Sequence, residues 1–76
     1  MVTVKFFASL RERTGKSELT MTPTEGMTVG ELWAKVSGEV ELGDGILSAV
    51  NHEYVDGTYV VEAGDEIAFF PPVTGG

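Results

Sequence analysis

Thr28-Val29-Gly30-Glu31-Leu32-Trp33-Ala34-Lys35-Val36-Ser37-Gly38 carries helical apolar periodicity in the middle of an otherwise strand-rich chain. Val29, Leu32, Trp33 and Val36 recur at three- and four-residue spacing, one stripe of a short helix. Thr28 with Glu31 three residues on reads as a capping box, and Met27 and Leu32 are spaced as a hydrophobic staple across it. Ser37-Gly38 marks the end. Gly30 weakens such a helix by up to about 1 kcal/mol, so packing of the stripe must hold it.

The flanking segments alternate. Val2 to Ala8 reads as a strand, with Val2, Val4 and Phe6 on one face and Thr3, Lys5 and Phe7 on the other. Phe7 implies that this second face is partly covered. Ser9 is placed to cap a single helical turn with Glu12 three residues later, and Gly15 permits a left-handed turn. Glu18 to Thr22 resumes alternation, so the first two strands form a hairpin with a long loop. Pro23-Thr24-Glu25-Gly26 breaks the pattern ahead of the helix. Beyond the helix, Glu39 to Gly45 is an acidic loop and Ile46 to Val50 a strand. Asn51 to Val55 turns into a short return segment. Asp56-Gly57 is a turn signal, Thr58 to Val61 is strand-like, and Ala63 to Glu66 turns again. Ile67 to Phe70 is the last strand, ended by Pro71 and Pro72, which cannot donate to a ladder.

This order predicts an α+β fold: a mixed β-sheet with one main helix packed on one face, the first and last strands as central partners. We read it as a β-grasp domain over residues 1–70 followed by an extended tail over 71–76.

Composition narrows the function. The 76 residues make one domain. A chain this short buries only about 60% of its unfolded surface. The net charge is −7. That surface repels phosphates, which argues against DNA, RNA and anionic membranes as partners and favours a protein with a basic groove. Net charge also serves solubility, and both roles can hold together. All the lysines and arginines lie at or before Lys35. With no cysteine and one histidine, a disulfide scaffold and a structural zinc site are not expected. No apolar run approaches the ~20 residues that span a bilayer. The N-terminus lacks the pattern of a signal peptide, so a cytoplasmic location is expected.

Few residues suit ordinary catalysis. His52 stands in a turn with no supporting pattern, which favours a surface role. Ser9, Ser17, Ser37 and Ser48 have no triad partners in the sequence. The carboxylates are scattered, and no phosphate loop, dinucleotide fingerprint or EF-hand is present. The tail, Phe69-Phe70-Pro71-Pro72-Val73-Thr74-Gly75-Gly76, is different. Its prolines halt the sheet and favour an extended path. Its glycines remove side chains, leaving a thin peptide suited to a narrow channel, with a carboxylate at its tip. The plain alternative is a frayed end.

The tail, with Val4-Lys5-Phe6-Phe7-Ala8, Leu10-Arg11-Glu12, Ala49-Val50-Asn51 and Gly64-Asp65-Glu66-Ile67-Ala68-Phe69, resembles the molybdopterin synthase small-subunit family of ubiquitin-like sulfur carriers. The matching blocks run in order through nearly the whole chain. The resemblance implies a ubiquitin-like β-grasp and a non-catalytic cosubstrate of a sulfurtransferase complex. An adenylyltransferase of the ubiquitin-activating type spends ATP to adenylate the carboxylate of Gly76. A sulfur donor protein acting through that enzyme then converts it to a thiocarboxylate. The synthase large subunit accepts the tail, and sulfur passes to cyclic pyranopterin monophosphate during molybdenum cofactor biosynthesis. Gly76 is thus the sulfur-bearing residue, and Gly75, Thr74, Val73, Pro72 and Pro71 position the tail. Phe69 and Phe70 are candidates for the partner interface, although alternation lets only one of them point fully into the core. No permanently bound cofactor or metal is implied. The alternatives are a carrier for thiazole, cysteine or tungsten-pterin chemistry, a ubiquitin-like modifier that forms an amide with lysine, and a passive domain that binds through a sheet edge.

Overall fold

The computed structural model describes residues 1–38 and 46–71. The acidic loop expected over 39–45 and the tail over 72–76 lie outside the described residues. β1 (Val2–Phe6) leads through α1 (Ser9–Thr14) to β2 (Glu18–Met21), then α2 (Val29–Ser37). β3 (Leu47–Val50), β4 (Glu53–Val55) and β5 (Glu66–Phe70) follow. They form one sheet in the order β2-β1-β5-β3-β4. β1 and β5 pair in parallel at its centre, with Val4 opposite Ile67 and Phe6 opposite Phe69. β2 flanks β1 antiparallel, and β3 flanks β5 antiparallel. The first and last strands are therefore the central pair, as their composition predicts.

α2 forms because both ends are satisfied and one side is apolar. Thr28 Oγ1 accepts from the Glu31 amide at 3.2 Å, and the Glu31 carboxylate accepts from the Thr28 amide at 2.9 Å. The helix stops at Gly38, whose φ of 79° few other residues tolerate. Val29, Leu32 and Trp33 are buried against Val2, Val4, Phe6, Ile67 and Phe69 of the sheet. Trp33 meets Phe69 edge-on, with ring centroids 5.0 Å apart, and Phe6 stacks on Phe69 at 6.0 Å. Met27 and Leu32, the staple pair, are buried in the same core. One sheet face is thus covered by the helix, and the arrangement is a β-grasp.

Gly30 has a reason to be where a helix former would do better. Its amide donates to the Gly57 carbonyl at 2.9 Å. A Cβ on it would stand 3.2 Å from that same oxygen. The helix accepts a weak residue so that the 56–58 turn can approach its first turn.

Three local expectations change. β1 ends at Phe6, two residues early, because the chain turns at Ala8. Ser9 does not cap α1: it is the first helical residue, Ala8 occupies the cap position, and no side chain caps the helix. Thr58 to Val61 is not a strand; only Val60 bridges to Thr28. The flank of β3 is taken by β4, so this segment pairs instead with the lead-in to α2. Val29 donates to the Tyr59 carbonyl at 2.8 Å, and Val61 to that of Met27 at 2.9 Å.

Candidate functional site

β5 is the central strand that runs out towards the tail, and its alternation decides which side chains accompany it. Ile67 and Phe69 point into the core, so Glu66, Ala68 and Phe70 point to the face without a helix. Phe69 is 0% exposed. The expectation that it shares in a partner interface is therefore corrected: its whole surface is used in the core, against Trp33 and Phe6. Phe70 is the phenylalanine with surface to offer. It lies against Tyr54 of β4, centroids 5.7 Å apart, and Tyr54 is 73% exposed.

Register extends this face. Lys5, Ala68, Ala49 and Tyr54 stand side by side across β1, β5, β3 and β4, and Phe70 is opposite Leu47. Phe7 continues past β1, donating its amide to the Phe69 carbonyl at 3.1 Å, and is 47% exposed. Expected to be partly covered, it remains half open. By alternation Phe7 falls on the same face as Phe70, Leu47, Ala49, Ala68 and Tyr54, apolar positions towards the end where β5 passes into Pro71.

The opposite end of that face is charged. Lys5 Nζ lies 3.3 Å from Glu66 and 4.0 Å from Glu18, and His52 Nε2 lies 3.2 Å from Glu66. The Lys5 ammonium, by hydrogen bond and then by charge, holds the Glu66 carboxyl below its ordinary value, with a smaller contribution from His52. His52 is an exposed turn residue that joins this chain of charges. Sequence reasoning did not find its partner, because Glu66 approaches it only once β3 and β5 pair.

A second contact was also hidden in the sequence. Asn51, at φ 51°, donates from Nδ2 to Asp65 at 2.9 Å and accepts from the Glu66 amide at 3.0 Å. The Asp65 carboxylate, largely buried, accepts from the Glu62 amide at 2.9 Å. This clasp ties the β3–β4 turn to the entry of β5. Ser48, one of the serines considered as a nucleophile, is buried and donates to the Val55 carbonyl at 3.1 Å, which makes it a strut. Among the described residues, no three histidine, cysteine, aspartate or glutamate side chains converge on a metal position. No described helix is long and apolar enough to cross a membrane. Pro71 follows β5 directly, and Pro72, Val73, Thr74, Gly75 and Gly76, the remaining site residues expected from sequence, lie outside the described residues.

Comparison with known proteins assigns the lineage: the model of the ThiS family matches residues 4–76. The chain belongs to the ThiS family. This ThiS-family protein is 39% identical over 82 residues to the molybdopterin synthase sulfur carrier subunit of Escherichia coli (strain K12), covering 100% of both chains. Its fold superposes on SAMP1 of Haloferax volcanii with a TM-score of 0.79, at 30% identity, over 99% of this chain and 98% of the other. A chain in the BexX/CysO complex of Amycolatopsis orientalis matches with a TM-score of 0.67 at 28% identity, covering 100% of each. The fold of this ThiS-family protein is the ubiquitin-like β-grasp.

Proposed function

We propose that this chain is the sulfur carrier of molybdopterin synthase, holding sulfur as a thiocarboxylate on Gly76 and giving it to cyclic pyranopterin monophosphate in the large subunit. The observation that carries the reading is identity of 39% across the full length of a carrier subunit of that enzyme. The family match also runs through residue 76. The open face supports it: a protein that takes up Gly75 and Gly76 has Phe70 close by in the chain, with Tyr54 packed against it. Large aromatic side chains in such a position commonly dominate protein interfaces.

The chemistry explains why a carboxylate needs partners. A carboxylate is a poor acyl donor, so its oxygen first attacks the α-phosphorus of ATP on the activating enzyme and pyrophosphate leaves. Hydrosulfide, supplied as such or released from a persulfide donor by a second thiol that ends as a disulfide, then adds to the acyl carbon. The bond to AMP breaks, a proton is released, and the thiocarboxylate remains. On the synthase its sulfur bonds to a side-chain carbon of the pterin as an oxygen substituent leaves that carbon, and water cleaves the acyl–sulfur bond to restore the carboxylate. One carrier turnover supplies each sulfur of the dithiolene. In this reading Gly75 supplies the narrow approach, and Pro71, Pro72, Val73 and Thr74 position the tail.

The test is intact mass after incubation with the activating enzyme of the same organism, ATP and a sulfur donor. The expected product carries sulfur in place of one oxygen at Gly76, and transfers it when the large subunit and the cyclic pterin are added. An unchanged mass, where a known carrier is converted, overturns the reading. Likeness to SAMP1, the small archaeal modifier protein 1 of H. volcanii, favours a second use of the same activated carboxylate, an amide with a lysine. Lysine-linked conjugates in place of thiocarboxylate in that assay identify it.

A further inference from the structure

Ala8 sits at φ 53°, ψ −130°. For a residue with a Cβ this is a strained conformation; it is the mirror of ordinary extended backbone and is normally left to glycine. The surrounding hydrogen bonds explain the angles. The Leu10 amide donates to the Phe7 carbonyl at 3.1 Å, closing a four-residue turn with Ala8 at its first central position. Those angles belong to the first central residue of a type II′ turn, where glycine is the usual occupant. The turn has a demanding task. Phe6 is 2% exposed, Phe7 is 47% exposed, and Leu10 is again 2% exposed. The backbone must therefore release one aromatic onto the open face and return the next apolar residue to the core within a few positions. The Phe7 amide is meanwhile still fixed to Phe69 of β5.

Ala8 itself is exposed and its side chain caps nothing, so no packing gain explains a methyl group at a glycine position. Its effect is conformational. Glycine would satisfy the same angles without strain, but would open many others to the corner. Alanine accepts the strain and leaves the corner fewer ways to move. We propose that Ala8 is a positioning residue, a strained corner that holds Phe7 in place on the open face so that a protein partner meets an already ordered aromatic. The inference rests on the reading of that face as the docking surface for the synthase large subunit. It deepens that reading by giving the face a preorganising element. A side chain fixed before association loses less entropy on binding, and the gain appears as affinity.

The experiment compares Ala8→Gly and Phe7→Ala with the unaltered chain. It measures the urea midpoint of each, and the affinity of each for the purified molybdopterin synthase large subunit of the same organism. Ala8→Gly is expected to raise the midpoint, because relief of the left-handed strain outweighs the added freedom of the unfolded chain. It is expected to weaken binding by about three- to tenfold, the cost of immobilising one side chain during association. A residue with a purely structural role moves stability and affinity in the same direction; here they move oppositely. If Ala8→Gly leaves affinity unchanged while Phe7→Ala reduces it, the docking face stands and the role of Ala8 is overturned. If Ala8→Gly lowers the midpoint, the strain on which the role depends is absent and the proposal fails. If Phe7→Ala binds as well as the unaltered chain, the docking-face reading itself fails and takes the proposal with it.

Discussion

Phe69 and Phe70 are consecutive in the chain, yet the pleat of β5 gives them unrelated environments. Phe69 contacts Trp33 and Phe6 with no exposed surface, whereas Phe70 touches Tyr54 on the open face. Phe69→Ala should cost about 3–5 kcal/mol in urea unfolding, the usual loss for emptying a buried phenylalanine site. Phe70→Ala should cost far less and act instead on association with the large subunit. Equal destabilisation by the two changes is incompatible with the open face. Gly30 is a second residue whose substitution has a defined sign. Alanine there gains about 1 kcal/mol of helix propensity. Its Cβ, however, meets the Gly57 oxygen at 3.2 Å, an atom already fixed by the Gly30 amide. Gly30→Ala is expected to be net destabilising by about 1 kcal/mol or more. A urea midpoint at or above that of the unaltered chain refutes the close approach.

At the scale of elements, the charged end of the open face links β1, β5 and the β3–β4 turn through Glu66. Because Lys5 and His52 lower the Glu66 pKa on folding, its contribution is present above the ordinary carboxylate range and is lost as pH falls through the depressed folded value. The stability gap between the unaltered chain and Glu66→Gln should therefore be present above the ordinary carboxylate range and close in acid below it. A gap that widens on acidification contradicts this, and urea midpoints across pH measure it. Elements with local causes were legible in the sequence. The capping box of Thr28 and Glu31, the stripe of Val29, Leu32 and Trp33, and the stop at Gly38 involve neighbours a few residues apart. The alternation of Val2, Val4 and Phe6 likewise needs only the pleat. What was missed depends on distant approach. Thr58 to Val61 has strand composition but finds only Thr28 for a ladder partner. The Asn51–Asp65 clasp joins residues of two different turns. Ser9 looked like a cap until Ala8, with its glycine-like angles, took that place. The choice between Phe69 and Phe70 needed the position of α2. The chemistry expected at Gly76 was legible only through resemblance, since two glycines carry no side chain from which to infer it.

For the whole molecule, charge is distributed unevenly, with a net of −7 and no lysine or arginine after Lys35. If this acidity steers the chain to a basic surface, association with the large subunit should slow as salt rises, with dissociation changing less. Stopped-flow association rates between low and physiological ionic strength test this, and a flat dependence leaves solubility as the purpose of the charge. The parallel pairing of β1 with β5 has a different consequence, one of timing. The first strand made by the ribosome waits for the last, because Val4 has no central neighbour until Ile67 has emerged. Such long-range closure makes folding slower than local helix formation. It also couples completion of synthesis to maturity: a nascent or truncated chain that stops short of β5 has no sheet centre, no buried Phe69 and no open aromatic face. A partner that recognises that face therefore engages only chains made at least through Phe70, and the architecture itself keeps copies that stop short of β5 out of the sulfur-transfer cycle.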